Sequence, residues 1–279
     1  MKTDKKIGFI GAGNMAEAFI CGLVNKIFPE NQIQISEPDA DRMAQIQKKY
    51  KITTAISNTE LFQNNDIVVL AVKPQVMKTV LYEIQPNHVN NHCLMVSIAA
   101  GVTIETISQI MYHHLNSKSS GLIPIVRVMP NTPALIQYGM SAYCGNEFAS
   151  QDDMNLVSEI LSALGRVIAV SENQMDAITA VSGSGPAYLF YFVESMIQGA
   201  QNLGFTEDQS RLLVMQTIDG ALQLLKQPDA CPIKLREQVT SKGGTTEAAV
   251  EIFQNRNLKN AVIDAMNSAS RRAQELSQM

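Results

Sequence analysis

The chain has 279 residues. At roughly 150 residues per domain that predicts two domains, each able to bury its own apolar core, and excludes a disulfide-stapled miniprotein. Hydrophobic residues at 46% and charged residues at 17% exclude a disordered tail, and 22 basic against 26 acidic residues, a net charge of −4, exclude nucleic-acid binding driven by bulk charge.

The basic segment before Ile7 leads straight into an apolar run without the apolar helix and cleavage site of a signal peptide. No run of apolar or small residues, that from Cys93 to Gly101 included, reaches the roughly 20 that cross a bilayer. A cytoplasmic protein without membrane contact is expected. Residues 7–10 form the first predicted strand, followed by Gly11-Ala12-Gly13-Asn14-Met15-Ala16 and a helical stretch through Leu23. In this strand, turn and helix order, Gly11 permits the turn, Gly13 admits a pyrophosphate to the backbone, and Ala16 lets the helix pack closely on the strand. The helix's first amides would meet the phosphates.

The next predicted strand, 33–35, is followed by Glu37, at the ribose-reading position of a dinucleotide site. A carboxylate there accepts hydrogen bonds from ribose hydroxyls and repels a 2′-phosphate, which leans towards NADH, while nearby Arg42 keeps NADPH open. Further predicted strands at 67–72, 94–98, 125–128 and 167–170 alternate with helical patterns, the βαβ rhythm of a parallel sheet. Asn58, Ala71-Val72-Lys73-Pro74 and Ala99-Ala100-Gly101 fall at strand ends or the loops after them, where open α/β sheets bind ligands and small residues admit a flat ring. Lys73 reads equally well as a solvated lysine at a helix start.

Beyond Glu172 the proline-free stretches 187–227 and 233–279 permit long helices. The expected organisation is a Rossmann-type dinucleotide-binding domain over 1–172 and an all-helical domain over 173–279. Leu189, Phe192, Val193, Met196, Ile197 and Ala200 follow helical spacing, with Phe190 and Tyr191 adding apolar surface on the other side, so this helix should be buried on several sides. Thr206 and Gln209 form a capping box before a helix over 212–225, and Leu258, Ala261, Val262, Ala265, Met266 and Ala269 mark a final helix. Such faces suit core or subunit packing better than a cofactor box, and predict a dimerisation scaffold. Two loops at helix starts, Ser182-Gly183-Ser184-Gly185-Pro186 and Thr240-Ser241-Lys242-Gly243-Gly244-Thr245-Thr246, carry more hydroxyls than capping needs and suit a carboxylate. Cys21, Cys93, Cys144 and Cys231 are scattered, and neither His88 with His92 nor His113 with His114 has a third ligand nearby, so free thiols and no metal are expected.

The ordered series Phe9-Ile10-Gly11-Ala12-Gly13-Asn14-Met15, Ala71-Val72-Lys73-Pro74, Ala99-Ala100-Gly101-Val102-Thr103, Met129-Pro130-Asn131-Thr132-Pro133, Ser182-Gly183-Ser184-Gly185-Pro186-Ala187-Tyr188 and Gly243-Gly244-Thr245-Thr246 closely resembles the pyrroline-5-carboxylate reductases over essentially the whole chain. The resemblance implies reduction of 1-pyrroline-5-carboxylate to L-proline by hydride transfer from NADPH or NADH, the last step of proline biosynthesis. It implies cofactor contacts at Ile10, Gly11, Ala12, Gly13, Asn14, Met15, Glu37, Asn58, residues 71–74, residues 99–101 and Gln238. The implied substrate contacts are Glu172, residues 182–186, Gly243, Gly244, Thr245 and Thr246. Amides of Thr245 and Thr246 would hold the substrate carboxylate and the Thr246 hydroxyl its ring nitrogen, with Glu172 anchoring the substrate loop or steadying the positive nitrogen through water. Family members assemble as homodimers, often as decamers of five dimers. The sequence departs from the family pattern at Glu37, where NADPH-preferring members carry a small hydroxyl residue, and at Lys242, where a proline is usual. A β-hydroxyacid dehydrogenase would need a catalytic lysine on a helix after its glycine loop, and none follows Ser182. A non-catalytic NAD(P)H sensor would not need the two hydroxyl-rich loops.

Overall fold

The structure, a computed structural model, describes residues 3–84, 93–112 and 123–277. An eight-stranded sheet has the order β3-β2-β1-β4-β5-β6-β7-β8. Its strands are β1 (Ile7–Ile10), β2 (Ile33–Ser36), β3 (Thr53–Thr54), β4 (Ile67–Leu70), β5 (Leu94–Ser97), β6 (Ile125–Met129), β7 (Gly139–Gly145) and β8 (Gly165–Ala169). β1 alternates between two cores, as the period of a strand requires: Ile7 and Phe9 join one with Phe19, Leu23 and Val69, and Ile10 joins the other with Leu61, Val68 and Met95. Burial on both faces explains the continuous apolar runs of β1 and β4.

The helices α1 (Asn14–Leu23), α2 (Ala40–Tyr50), α3 (Asn58–Asn64), α4 (Pro74–Glu83), α5 (Ile104–Tyr112) and α6 (Gln151–Ser162) connect these strands. Their starts follow local chemistry. Asp39 accepts from the Arg42 amide, Ser57 from the Glu60 amide, Pro74 opens α4, and Ser150 with Asp153 forms a capping box on α6.

The sheet departs from the all-parallel expectation at β7, which runs antiparallel to β6. The 3₁₀ turn Thr132–Ile136 between them is too short for a crossover, which takes a dozen or more residues, so the chain reverses. Neither β7, which has no β-branched side chain and starts and ends on glycine, nor the two-residue β3 carries a long apolar run that could announce a strand. β4 also stops at Leu70, because Ala71 and Val72 enter the turn before α4.

After β8 come the 3₁₀ turn Glu172–Gln174, α7 (Met175–Ile178), a π-turn (Thr179–Gly183), α8 (Gly185–Asn202), α9 (Glu207–Leu225), α10 (Pro232–Gln238), α11 (Thr245–Asn255) and α12 (Leu258–Ser277). The Thr206–Gln209 capping box is present at the start of α9. Two compact units result: one runs to Ser184 and takes in the chain from Ala269 onward, and the other is Gly185–Ser268. The expectation that α8 is buried on several sides fails within the chain, where no α8 residue is buried and Phe190 and Tyr191 are 64% and 72% exposed. Its main packing neighbour among the described residues is α9.

The four cysteines are free thiols, and burial pushes those of Cys93 and Cys144 up to about 12 and about 11. His88, His92, His113 and His114 lie outside the described residues. Among the described residues no cluster of His, Cys, Asp or Glu could hold a metal ion, and no helix is long and apolar enough to cross a membrane.

Gly165 pairs with Gly139 at the start of β8 with φ +147°, and a Cβ on it would collide with the Gly139 carbonyl and amide. Gly165→Ala should therefore lower the unfolding free energy by about 2 to 4 kcal/mol, backbone strain and overpacking adding, as read by urea titration.

Candidate active site

The parallel strands end level with one another. Ile10 of β1 is in register with Ser36 of β2 and Leu70 of β4, Leu70 with Ser97 of β5, and Ser97 with Arg127 of β6. The loops after β1, β2, β4 and β5 therefore leave one edge of the sheet side by side. The strand order reverses at β1, with β2 on one side and β4 on the other. Open α/β sheets bind dinucleotides at this point.

At Gly11 the chain turns with φ +95°, and a Cβ there would lie 2.7 Å from the Ala71 carbonyl oxygen and 3.1 Å from Val72 Cγ1. Residues 11 and 71–72 are thus brought together as the motifs implied. Gly13 is the N-cap of α1 and no side chain caps that helix. A Cβ on Gly13 would meet no protein atom within 4 Å, so its hydrogen faces open space in front of the amides of the first turn. The first hydrogen bond of the helix runs from the Glu17 amide to Gly13 O at 2.9 Å, leaving the preceding amides to an anion. These residues fit the pyrophosphate of a dinucleotide.

Ala12 is held from both sides. Its amide donates to Glu37 Oε2 at 2.7 Å, and its carbonyl accepts from Arg42 Nε at 2.8 Å. Glu37 Oε1 also accepts from the Asp39 amide at 3.1 Å, but each carboxylate oxygen keeps a lone pair for a ribose hydroxyl. Arg42 Nη2 donates to Glu17 Oε2 at 2.6 Å, and Glu17 Oε1 accepts from Lys49 Nζ at 2.8 Å and Tyr50 Oη at 3.1 Å. Burial works to raise the Glu17 carboxyl, yet the hydrogen bonds from Lys49, Arg42 and Tyr50 hold it at about 2.

Asn58 accepts from Ser36 Oγ at 2.7 Å and donates to Glu83 Oε2 at 2.6 Å, which fixes it at the end of β2. Lys73 is exposed at the N-cap of α4, directly before Pro74. In the loop after β5, Ala99 is buried and Ala100 half-buried, and Gly101 lies so close to the last turn of α12 that a Cβ would stand 2.9 Å from Leu276 Cβ.

A second cluster surrounds the buried side chain of Arg127. Its Nη1 donates to Glu172 Oε1 at 3.3 Å and its Nη2 stands 3.6 Å from Asp176 Oδ1. The same Glu172 oxygen accepts from the Ile104 amide at 2.7 Å, at the start of α5, and Asp176 accepts from Ser277 Oγ at 3.3 Å. Asn131 is buried as well. It accepts from the Met140 amide at 2.9 Å and donates to Ser182 O at 3.1 Å, joining the 129–133 motif to the π-turn, which takes up Ser182 and Gly183 where a loop was expected and leaves the Ser182 hydroxyl buried without a protein partner. Sequence reading missed Arg127, Asp176 and Glu17. A charge inside the apolar run of β6 was the one available signal, since the partners of these residues lie far along the chain.

In the helical unit, Gly244 is the N-cap of α11 without a side-chain cap, so the amides of Thr245 and Thr246 precede the helix's own bonds. The Gly243 amide donates to Glu247 Oε2 at 2.6 Å, a contact that shapes this loop. Lys242 and Thr245 are exposed and Thr246 half-buried. Gln238 ends α10, and Gly185 and Pro186 open α8.

Residues 172–276 match the family model described as pyrroline-5-carboxylate reductase dimerisation, and residues 6–101 that described as NADP oxidoreductase, coenzyme F420-dependent. The chain is 39% identical over 277 residues to the pyrroline-5-carboxylate reductase of Pseudomonas aeruginosa, covering 99% of this chain and 98% of that one. It is 36% identical over 272 residues to that of Synechocystis, covering 97% and 98%. Among solved structures, pyrroline carboxylate reductase of Plasmodium falciparum with NADP bound superposes with a TM-score of 0.87 at 30% identity, over 99% of this chain and 100% of that one. The Coxiella burnetii pyrroline-5-carboxylate reductase follows at 0.85 and 36%, with the same coverage. The level strand ends, the glycine cradle at α1 and these full-length likenesses agree that the chain belongs to the pyrroline-5-carboxylate reductase family.

Proposed function

We propose that this protein reduces 1-pyrroline-5-carboxylate to L-proline with NADH or NADPH, the last step of proline biosynthesis, in the cytoplasm. The observation that carries the reading is the open space at Gly13 in front of the uncapped amides of α1, in a chain of this family. The bound cofactor supplies the hydride. Residues 10–15 hold its pyrophosphate and Glu37 its adenosine ribose, while Asn58, residues 71–74, residues 99–101 and Gln238 complete its contacts.

The substrate is a cyclic imine bearing a carboxylate, most electrophilic when its nitrogen is protonated. Amides of Thr245 and Thr246 hold the carboxylate, and the Thr246 hydroxyl orients the ring nitrogen, so binding energy goes into alignment for reduction. Gly243 leaves room for the carboxylate beside Gly244, and residues 182–186, from the end of the π-turn to the start of α8, are further substrate contacts. Glu172 acts as a positioning residue, since its carboxylate is engaged by Arg127 and the Ile104 amide. This supports the anchoring role over a direct effect on the nitrogen.

The functional unit is a homodimer, with a decamer of five dimers as its higher assembly. Exposed Phe190, Tyr191, Leu212, Leu213 and Met215 on α8 and α9 support this, because water-exposed apolar area of that extent calls for a partner. Light scattering at micromolar concentration should give a dimer or a multiple of it. A fully active monomer would remove the interface.

Gly13→Val fills the space in front of α1 and should abolish NADH binding, followed by cofactor fluorescence, while the circular dichroism of the fold is kept. Unchanged affinity would make the glycine turn purely structural. Thr246→Ala removes a partly charge-assisted hydrogen bond worth about 1.5 to 3 kcal/mol, so kcat/KM should fall by about 10- to 150-fold with cofactor affinity little changed. Thr246→Ser should recover most of this, and a loss below about twofold would leave the hydroxyl without a role on the nitrogen.

A further inference from the structure

We propose that Glu17 sets the cofactor preference of the reaction by fastening the Arg42 guanidinium to the glycine loop, out of reach of a 2′-phosphate. The inference rests on the reading of the glycine loop as the cofactor site. Arg42 lies in the first turn of α2, just beyond the ribose-reading Glu37, where a cation would favour NADPH.

Each nitrogen of this guanidinium already has a partner. Nε donates to Ala12 O at 2.8 Å, Nη2 to Glu17 Oε2 at 2.6 Å and Nη1 to Gln45 Oε1 at 2.9 Å. A guanidinium grips a phosphate through two parallel N–H groups on one edge. Here the edge formed by Nε and Nη2 faces Ala12 and Glu17, so a phosphate must displace a carboxylate to obtain it.

Glu17 is itself restrained by Lys49 and Tyr50, and its carboxyl, held at about 2, stays charged at neutral pH. The side chains of Arg42 and Glu17 are only 22% and 18% exposed, so their pairing is less screened than a surface salt bridge. Glu37 adds a second carboxylate beside the ribose, on the Ala12 amide. The cation that would select NADPH is thereby neutralised, and NADH is favoured.

The test measures dissociation constants for NADH and NADPH by nicotinamide fluorescence, alongside kcat/KM with each, in wild type, Glu17→Gln, Glu17→Ala, Arg42→Ala and the Glu17→Gln/Arg42→Ala double variant. Loss of the Glu17 charge should move the NADPH-to-NADH affinity ratio about tenfold towards NADPH, the size of one charge-assisted contact. In the Arg42→Ala background the same change should leave the ratio where it stands.

An unmoved ratio in both Glu17 variants would overturn the proposal, as would equal losses for the two cofactors, which mean that Glu17 only props the loop. A shift that survives in the double variant would assign it to Lys49 or another cation. NADPH affinity that falls in Arg42→Ala alone would show that Arg42 reaches the phosphate with Glu17 in place. Failure of the underlying site reading looks different: Gly13→Val would then leave NADH affinity intact.

Discussion

At Gly11 the backbone leaves β1 and passes so close to the chain leaving β4 that a Cβ would stand 2.7 Å from the Ala71 carbonyl oxygen. This close approach lets β1 and β4 end level and brings their loops together at the reversal of strand order. The first turn of α1 then faces the sheet's carboxyl edge with its amides uncapped. Binding of an anionic cofactor is a consequence of that geometry more than of any charged side chain, because the donors are backbone groups.

Arg127 imposes a second constraint. A guanidinium buried in mid-sheet costs several kcal/mol in lost hydration unless it is paired and hydrogen-bonded. Its partners Glu172 and Asp176 come from the chain just after β8, so the pairing draws that segment to β6. Glu172 also receives the first amide of α5, and Asp176 the hydroxyl of Ser277. One buried charge thus gathers three distant pieces of chain beside the loop after β5. That loop is further confined by Leu276 at Gly101. A loop confined in this way pays less ordering cost when it takes part in binding.

The helical unit follows a different logic. In Gly185–Ser268 only Ser210 and Val214 are buried, while large apolar side chains along α8 and α9 face outward. These faces are left uncovered within the chain, in the segment 172–276 that matches a dimerisation family model. A groove of about 430 Å³ between α8 and α9, lined by Leu189, Val193, Ile197, Met215 and Ile218, belongs to that face and not to the cofactor edge.

Most of the sheet edge that carries the glycine turn was legible in the sequence, because its signals are local. The apolar runs of β1, β2, β4, β5 and β6, the glycines of the first turn, the Thr206 capping box and the carboxylate after β2 each depend on a few neighbouring residues. The motif series named the family, and the helical spacing of α8 announced an apolar face without revealing which molecule covers it. Tertiary structure alone decided the reversal at β7, which lacks the β-branched run of the other strands, and the return of the end of α12 to the first unit. It also decided the partners of Arg127 and the clamp of Glu17, Arg42 and Glu37 on the glycine loop. Hydrogen bonds and ion pairs between residues far apart in the chain leave no periodicity behind, since they are selected by where folded elements meet and by the cost of burying a charge alone.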